Sequence, residues 1–225
     1  MQQVIQYRNY EKVELREREI LRYAHADQCS DETMDIMKEC LRECDGIFAY
    51  SVCYARFKVR CENDTVRLLA MSSAADAATE RRDTEAAIKE SAGTYDEIVC
   101  FESANLVKNL SGCDEALMMA ATAGIGVDRL INKYARLSPM KALFIHAIGA
   151  EAVEALCDKF VSDYEKDNKV STAPRFSPGY GDLNLSVQRS FERILDLGRR
   201  PGITLNENLL MTPSKSVTAI MGIRR

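Results

Sequence analysis

The chain has 225 residues, with 30 Lys and Arg against 34 Asp and Glu for a net charge of -4, eight Cys, two His and no Trp. A chain of this length buries a substantial core as one domain, and with no long block of one charge sign it is a poor partner for nucleic acid or a membrane surface. The charge-dense opening (Arg8, Glu11, Lys12, Glu14, Arg16, Glu17) has no signal-peptide core, no apolar run reaches the roughly 20 residues of a bilayer span, and no Cys-x-x-Cys pair occurs, so a soluble cytoplasmic protein with reduced thiols is expected.

In chain order, a charged helix is predicted over residues 11–24. Chemistry bounds the next helix: Ser30 caps it, Asp31 and Glu32 suit its first turn, Met34, Met37, Cys40, Leu41 and Cys44 form one stripe, and Gly46 follows. Cys40 and Cys44 lie one turn apart, as two metal ligands can, but zinc sites show four ligands in recognisable pairs and free Cys is a common small core residue. The period then changes to two. Phe57, Val59 and Cys61 alternate with Arg56, Lys58 and Arg60, Glu62-Asn63-Asp64 makes a turn, and residues 65–69 return as a hairpin with one wet face.

Residues 71–95 are rich in Ala, Ser and charge and bury too little to offset ordering entropy, which reads as an exposed helix, a lid or a disordered loop. A strand at 98–101, a short helix capped by Ser103 and ending near Gly112, a strand at 116–121 and a glycine turn follow. Residues 127–137 and 141–164 have helical spacing, the second with a broad apolar face from Phe144 to Tyr164. An irregular stretch through Gly181, a helix over 186–197 stopped by Gly198 and Pro201, and strand-like runs at 204–205 and 217–220 complete the chain. These elements predict an α/β (α+β) single domain with a central, twisted, mainly antiparallel sheet flanked by helices.

Few motifs carry chemistry. Gly124-Ile125-Gly126-Val127-Asp128 lies between a strand and a helix, where amides can face an anion, but a dinucleotide fingerprint wants a further glycine where Arg129 stands, so alone it reads as a tight turn. His25 and His146 have no ligand-spaced partners, and no Gly-x-Ser-x-Gly elbow occurs, so neither a catalytic residue nor a metal ligand is assigned. His146-x-x-Gly149 matches part of the Asp-x-His-x-x-Gly signature of proteins that ligate cobalt, but Phe144 stands at the Asp position, so cobalamin is not expected on this chain. The segment Arg175-Phe176-Ser177-Pro178-Gly179-Tyr180 combines a guanidinium, aromatic rings and a Pro-Gly turn. Those parts can cradle a zwitterion, and they also make an ordinary surface turn.

That segment resembles the Arg-x-x-x-Gly-Tyr motif of the activation domain of cobalamin-dependent methionine synthase, which binds S-adenosylmethionine. Gly202-Ile203-Thr204-Leu205-Asn206-Glu207 with Pro213 and Ser216-Val217 is similar to the family's tail, residues 150–159 with Glu154 to its preceding helix, and residues 110–115 and 122–129 to its stand-alone members. The resemblance implies a domain over 1–225, with a looser part to about residue 100, an insertion near 71–95, and a core over 101–225 that carries the motif. It differs at Gly181, where the family often has Pro, the acidic residue that the synthases use near the domain's start is not assigned a position, and the charged stretch over residues 71–95 has no clear counterpart.

The resemblance implies a subunit of methionine synthase that reactivates inactive cob(II)alamin on a partner, either a cobalamin-binding synthase subunit or another corrinoid protein. A flavodoxin-like donor supplies one electron, and cob(I)alamin takes the sulfonium methyl in line. It also implies roles: Arg175 for the methionine carboxylate, Glu154 for the ammonium, Tyr180 for the polar or sulfonium region, backbone around Ser177, Pro178 and Gly179 for the pocket wall, and Thr218 and Ala219 from the terminal strand. A docking module that binds a corrinoid protein without the small molecule is the alternative, and an ordinary S-adenosylmethionine methyltransferase is disfavoured by the incomplete glycine loop.

Overall fold

The computed structural model describes residues 4–26, 28, 30–71 and 97–224. Apart from Met71, the segment read as helix, lid or loop lies outside them. The sheet is organised by one long strand, β2 (Tyr50–Glu62). On one edge β1 (Gln6–Tyr10) pairs with its first half, from Gln6↔Tyr54 to Tyr10↔Tyr50, and β3 (Thr65–Leu69) with its last residues. On the other edge lies β5 (Glu115–Thr122), in register from Ser51↔Thr122 to Lys58↔Glu115. Beyond β3 comes β4 (Glu97–Glu102), and beyond β5 come β9 (Ser216–Arg224) and the short β6 (Ser171–Thr172), so the sheet has seven strands, all antiparallel. A separate ribbon joins β7 (Thr204–Leu205) to β8 (Met211–Thr212).

The described residues form six helices: α1 (Glu17–Tyr23), α2 (Asp31–Cys44), α3 (Ala104–Asn109), α4 (Gly126–Leu137), α5 (Pro139–Asn168) and α6 (Gln188–Leu195). The strands alternate, so each sends apolar side chains to both faces. Val52, Tyr54, Leu117, Met119, Ala219 and Met221 meet Leu156, Phe160 and Tyr164 of α5. Phe57, Met118, Ala120 and Ile220 meet Leu106, Phe191 and Leu195 of α3 and α6. Covered on both sides, β5 is buried along its whole length, which explains its unbroken apolar run. The first half of α5 packs with α1, α2 and α4 in a helical core around Ile20, Met37, Leu130, Phe144 and Ile148. The chain is therefore a single α/β domain with a mainly antiparallel sheet flanked by helices, as its pattern predicts.

Local chemistry explains the agreements and the departures. Ser30 accepts the Thr33 amide at 3.3 Å and Ser103 the Leu106 amide at 3.0 Å, as caps do. Cys40 and Cys44 belong to the helical core, where burial pushes their thiols up to about 11 and about 12. The helix predicted from residue 11 begins only at Glu17. Val13 is buried against the sheet, and the Arg16 amide donates to Glu151 at 3.2 Å, so tertiary contacts hold residues 11–16 extended. The polar β1 offered no apolar alternation to read. The helix predicted over 186–197 is a 3-10 turn at Leu185–Val187 followed by α6, which ends at Asp196 with φ +50°, two residues before Gly198. No helix among the described residues is long and apolar enough to cross a membrane.

Candidate functional site

Helix α5 presents Glu151, Glu154 and Asp158 at i, i+3 and i+7, a spacing that sets three carboxylates on one stripe. Arg175 meets this stripe from the loop after β6. Its Nη2 donates to Glu154 Oε2 at 2.8 Å and its Nη1 to Asp158 Oδ1 at 2.8 Å. The loop is stitched to β9 on both sides of the arginine: the Ala173 amide donates to the Gly222 carbonyl at 2.8 Å, and Phe176 and Ile220 exchange backbone hydrogen bonds at 2.9 Å. The guanidinium is thus held by rigid elements, with its side chain 23% exposed. Burial works against its charge, but the neighbouring Cys157, the hydrogen bond to Asp158 and the nearby carboxylates outweigh this and raise its pKa above the usual arginine value.

The network extends further. Glu151 is fully buried and accepts Arg16 Nε at 2.8 Å, and the Arg16 guanidinium also reaches Asp158 Oδ2 at 3.5 Å. Two arginines and three carboxylates therefore form one continuous chain, Glu151 to Arg16 to Asp158 to Arg175 to Glu154. A buried carboxylate is tolerated only when paired and hydrogen-bonded, which gives Arg16 its role. Motif reading did not find Arg16, Glu151 or Asp158. An acidic residue inside the apolar face of a helix was the available signal for Glu151.

After Arg175 the chain makes a tight turn. The Tyr180 amide donates to the Ser177 carbonyl at 3.1 Å and the Gly179 amide to the Leu183 carbonyl at 2.8 Å, with Gly179 at φ +86°, a region where glycine is favoured. Pro178 is buried, while the Tyr180 ring is 72% exposed and meets Phe176 edge-on at 6.3 Å. Gly181 has φ +54°, which proline cannot adopt, so the chain's departure from Gly-Tyr-Pro changes the backbone itself. Asp182 closes the turn onto α3 by accepting the Ser103 hydroxyl and the Asn105 amide. An open groove of ≈ 470 Å³ begins at Arg175 and passes Val161, Glu165 and Thr172.

Of the residues singled out in the sequence, Arg175 and Glu154 are in direct contact, and Ser177, Pro178, Gly179 and Tyr180 follow on the same turn. Thr218 and Ala219 are not brought to this surface. Both are buried within β9, Ala219 in the core with Met221. His146 lies exposed on α5, and its Asp-position neighbour Phe144 is fully buried.

No protein-family profile and no curated protein matches this sequence. Among solved structures, the chain is similar to a crystal structure of the MetH reactivation domain bound to AdoHcy, with TM-score 0.65 over 98% of this chain and 78% of that one, at 13% identity. The two share a fold. On that shared fold, this chain's own sequence builds the Arg175 network and the turn beside it.

Proposed function

We propose that this chain binds S-adenosylmethionine at Arg175 and presents it to a separate cobalamin-carrying protein, as a subunit in the reactivation of methionine synthase or of a related corrinoid enzyme. The observation that carries the reading is the clamp of Arg175 between Glu154 and Asp158, directly before the Ser177 to Tyr180 turn, on a fold shared with a domain that binds AdoHcy. An amino-acid end group suits such a clamp. Its carboxylate replaces one acid on the guanidinium while its ammonium takes the acid released, so every ion pair broken is replaced by another. Glu154 holds the ammonium in this reading, the exposed Tyr180 ring meets the sulfonium side, and the backbone of Ser177, Pro178 and Gly179 forms the wall. Thr218 and Ala219 support the site from beneath, without side-chain contact.

Methyl transfer from a sulfonium releases a neutral thioether and needs no protein acid or base, so the chain's residues have only to bind, orient and exclude water. Cobalamin comes on the partner, a flavodoxin-like donor supplies the electron, and the setting is cytoplasmic. The test mixes this chain with a cob(II)alamin-loaded corrinoid protein, S-adenosylmethionine and a one-electron reductant. Appearance of the methylcobalamin spectrum only when the chain is present is the expected result, and equal yield without the chain contradicts the proposal. A docking module without a small molecule is the second reading. It is favoured by one observation, that both terminal nitrogens of Arg175 already hold carboxylates.

A further inference from the structure

Residues 11–15, held extended between β1 and α1, face the C-terminal turn of α2 and the first residues of β2 across an open groove of ≈ 520 Å³. That volume suits a small molecule, and the wall is apolar and aromatic, as in such sites: Val13, Leu15, Leu41, Phe48 and Tyr50. None of the lining residues belongs to the Arg175 clamp.

Tyr50 points to a ligand. It is only 5% exposed, and its ring stacks with Phe48, centroids 5.0 Å apart and planes 14° from parallel. A tyrosine so buried normally finds a hydrogen-bond partner for its hydroxyl. Here the hydroxyl has none on the chain, yet its oxygen is not sealed off from solvent, so it opens onto the groove that the residue lines. Burial pushes the phenol's pKa up, and the neutral hydroxyl keeps its lone pairs for a donor.

The charge around the groove favours a cation as that donor. Glu11, Glu14 and Asp45 line it against Lys12 and Arg42, and none of these side chains is engaged in an ion pair or a hydrogen bond. Helix α2, 14 residues long, ends at the groove with Asp45 as its cap, and a helix C-terminus carries partial negative charge. The faces of aromatic rings attract cations as well.

We infer that this groove is a second binding site, separate from Arg175, for an organic cation, an ammonium group carried on an apolar or aromatic body. The body lies against Val13, Leu15 and Phe48, the Tyr50 hydroxyl accepts a hydrogen bond from the ammonium, and Glu14 and Asp45 balance its charge.

The full-length chain, labelled with ¹⁵N, is titrated at pH 7 with phenethylamine, an ammonium at that pH. Phenethyl alcohol and phenylacetate, which carry the same ring with no charge and with a negative one, are titrated in parallel. Saturable shifts of the Gly46 and Tyr50 amides are expected with the amine, weaker binding with the alcohol and none with phenylacetate. Tyr50→Phe keeps the ring, removes the hydroxyl and weakens the amine about fivefold. Glu14→Gln, on the exposed rim, weakens it about threefold and decides the matter if Tyr50→Phe does not fold. Arg175→Ala leaves it unchanged. No saturable shift with the amine, equal or tighter binding of the alcohol or phenylacetate, unchanged affinity in either folded groove variant, or equal loss in Arg175→Ala overturns the inference.

Discussion

Arg175 and Glu154, 21 residues apart, meet through a 2.8 Å hydrogen bond from Nη2 to Oε2, and Asp158 takes the other terminal nitrogen at the same distance. The two acids have different roles in the proposed site, and this separates them experimentally. Glu154→Gln removes the partner of the ligand ammonium and weakens S-adenosylmethionine binding about tenfold. Asp158→Asn keeps an acceptor on the other terminal nitrogen, which the ligand does not displace, and changes binding by less than about threefold, the scale of an exposed ion pair. Equilibrium dialysis on the two variants reads both changes, and a loss confined to Glu154→Gln is the expected result.

The buried Glu151 depends on Arg16, so Arg16→Ala leaves a carboxylate in the core short of its partner. A cost of about 2 kcal/mol is expected, below the usual value for a buried pair because the Arg16 side chain is itself half-exposed. Urea denaturation measures it. Glu151→Gln with Arg16→Ala is less destabilising than Arg16→Ala alone, because the orphaned charge is gone.

Gly181→Pro tests the turn. At φ +54° a proline ring does not fit, and a Cβ would come within 2.7 Å of Asn105 Nδ2, so the substitution costs roughly 2–3 kcal/mol. An unchanged thermal midpoint would mean that the turn adopts the family's Gly-Tyr-Pro geometry without strain.

Lys215 gives a pH signature. Burial lowers its pKa to about 8, from 10.5, so the folded state resists the proton that the unfolded state binds. The penalty is fully present below pH 8 and fades as pH rises toward 10.5, a difference of roughly 3 kcal/mol at most. Wild type therefore gains stability relative to Lys215→Met between pH 8 and 10. Denaturant midpoints of the two proteins, compared at each pH, cancel the opposing contributions of the buried cysteines and tyrosines.

Periodicity located most of the fold. The stripe from Met34 to Cys44 and the apolar face of α5 translate into buried surfaces, because burial is what repeats with the period, whereas in the alternation from Phe57 to Cys61 only Phe57 is buried, Val59 is half-buried and Cys61 is exposed at the end of the hairpin. The elements that escaped, β1, β6 and β8, are short or polar and owe their existence to a neighbour's backbone. The site was legible in the same proportion. Arg175 and the following turn are contiguous and readable as a motif, whereas Arg16 and Glu151 lie 135 residues apart and only packing joins them. Lys215 sits beside β9 among ordinary polar residues, and its burial depends on a glycine 66 positions earlier, a pairing that only the folded chain displays.

The central claim concerns Arg175, and calorimetric titration of S-adenosylmethionine into the wild-type chain and into Arg175→Ala tests it most directly. Saturable heat with one site per wild-type chain, lost in Arg175→Ala while its unfolding transition stays cooperative, is the predicted result. No heat with the wild type, or equal affinity in both proteins, would contradict the claim.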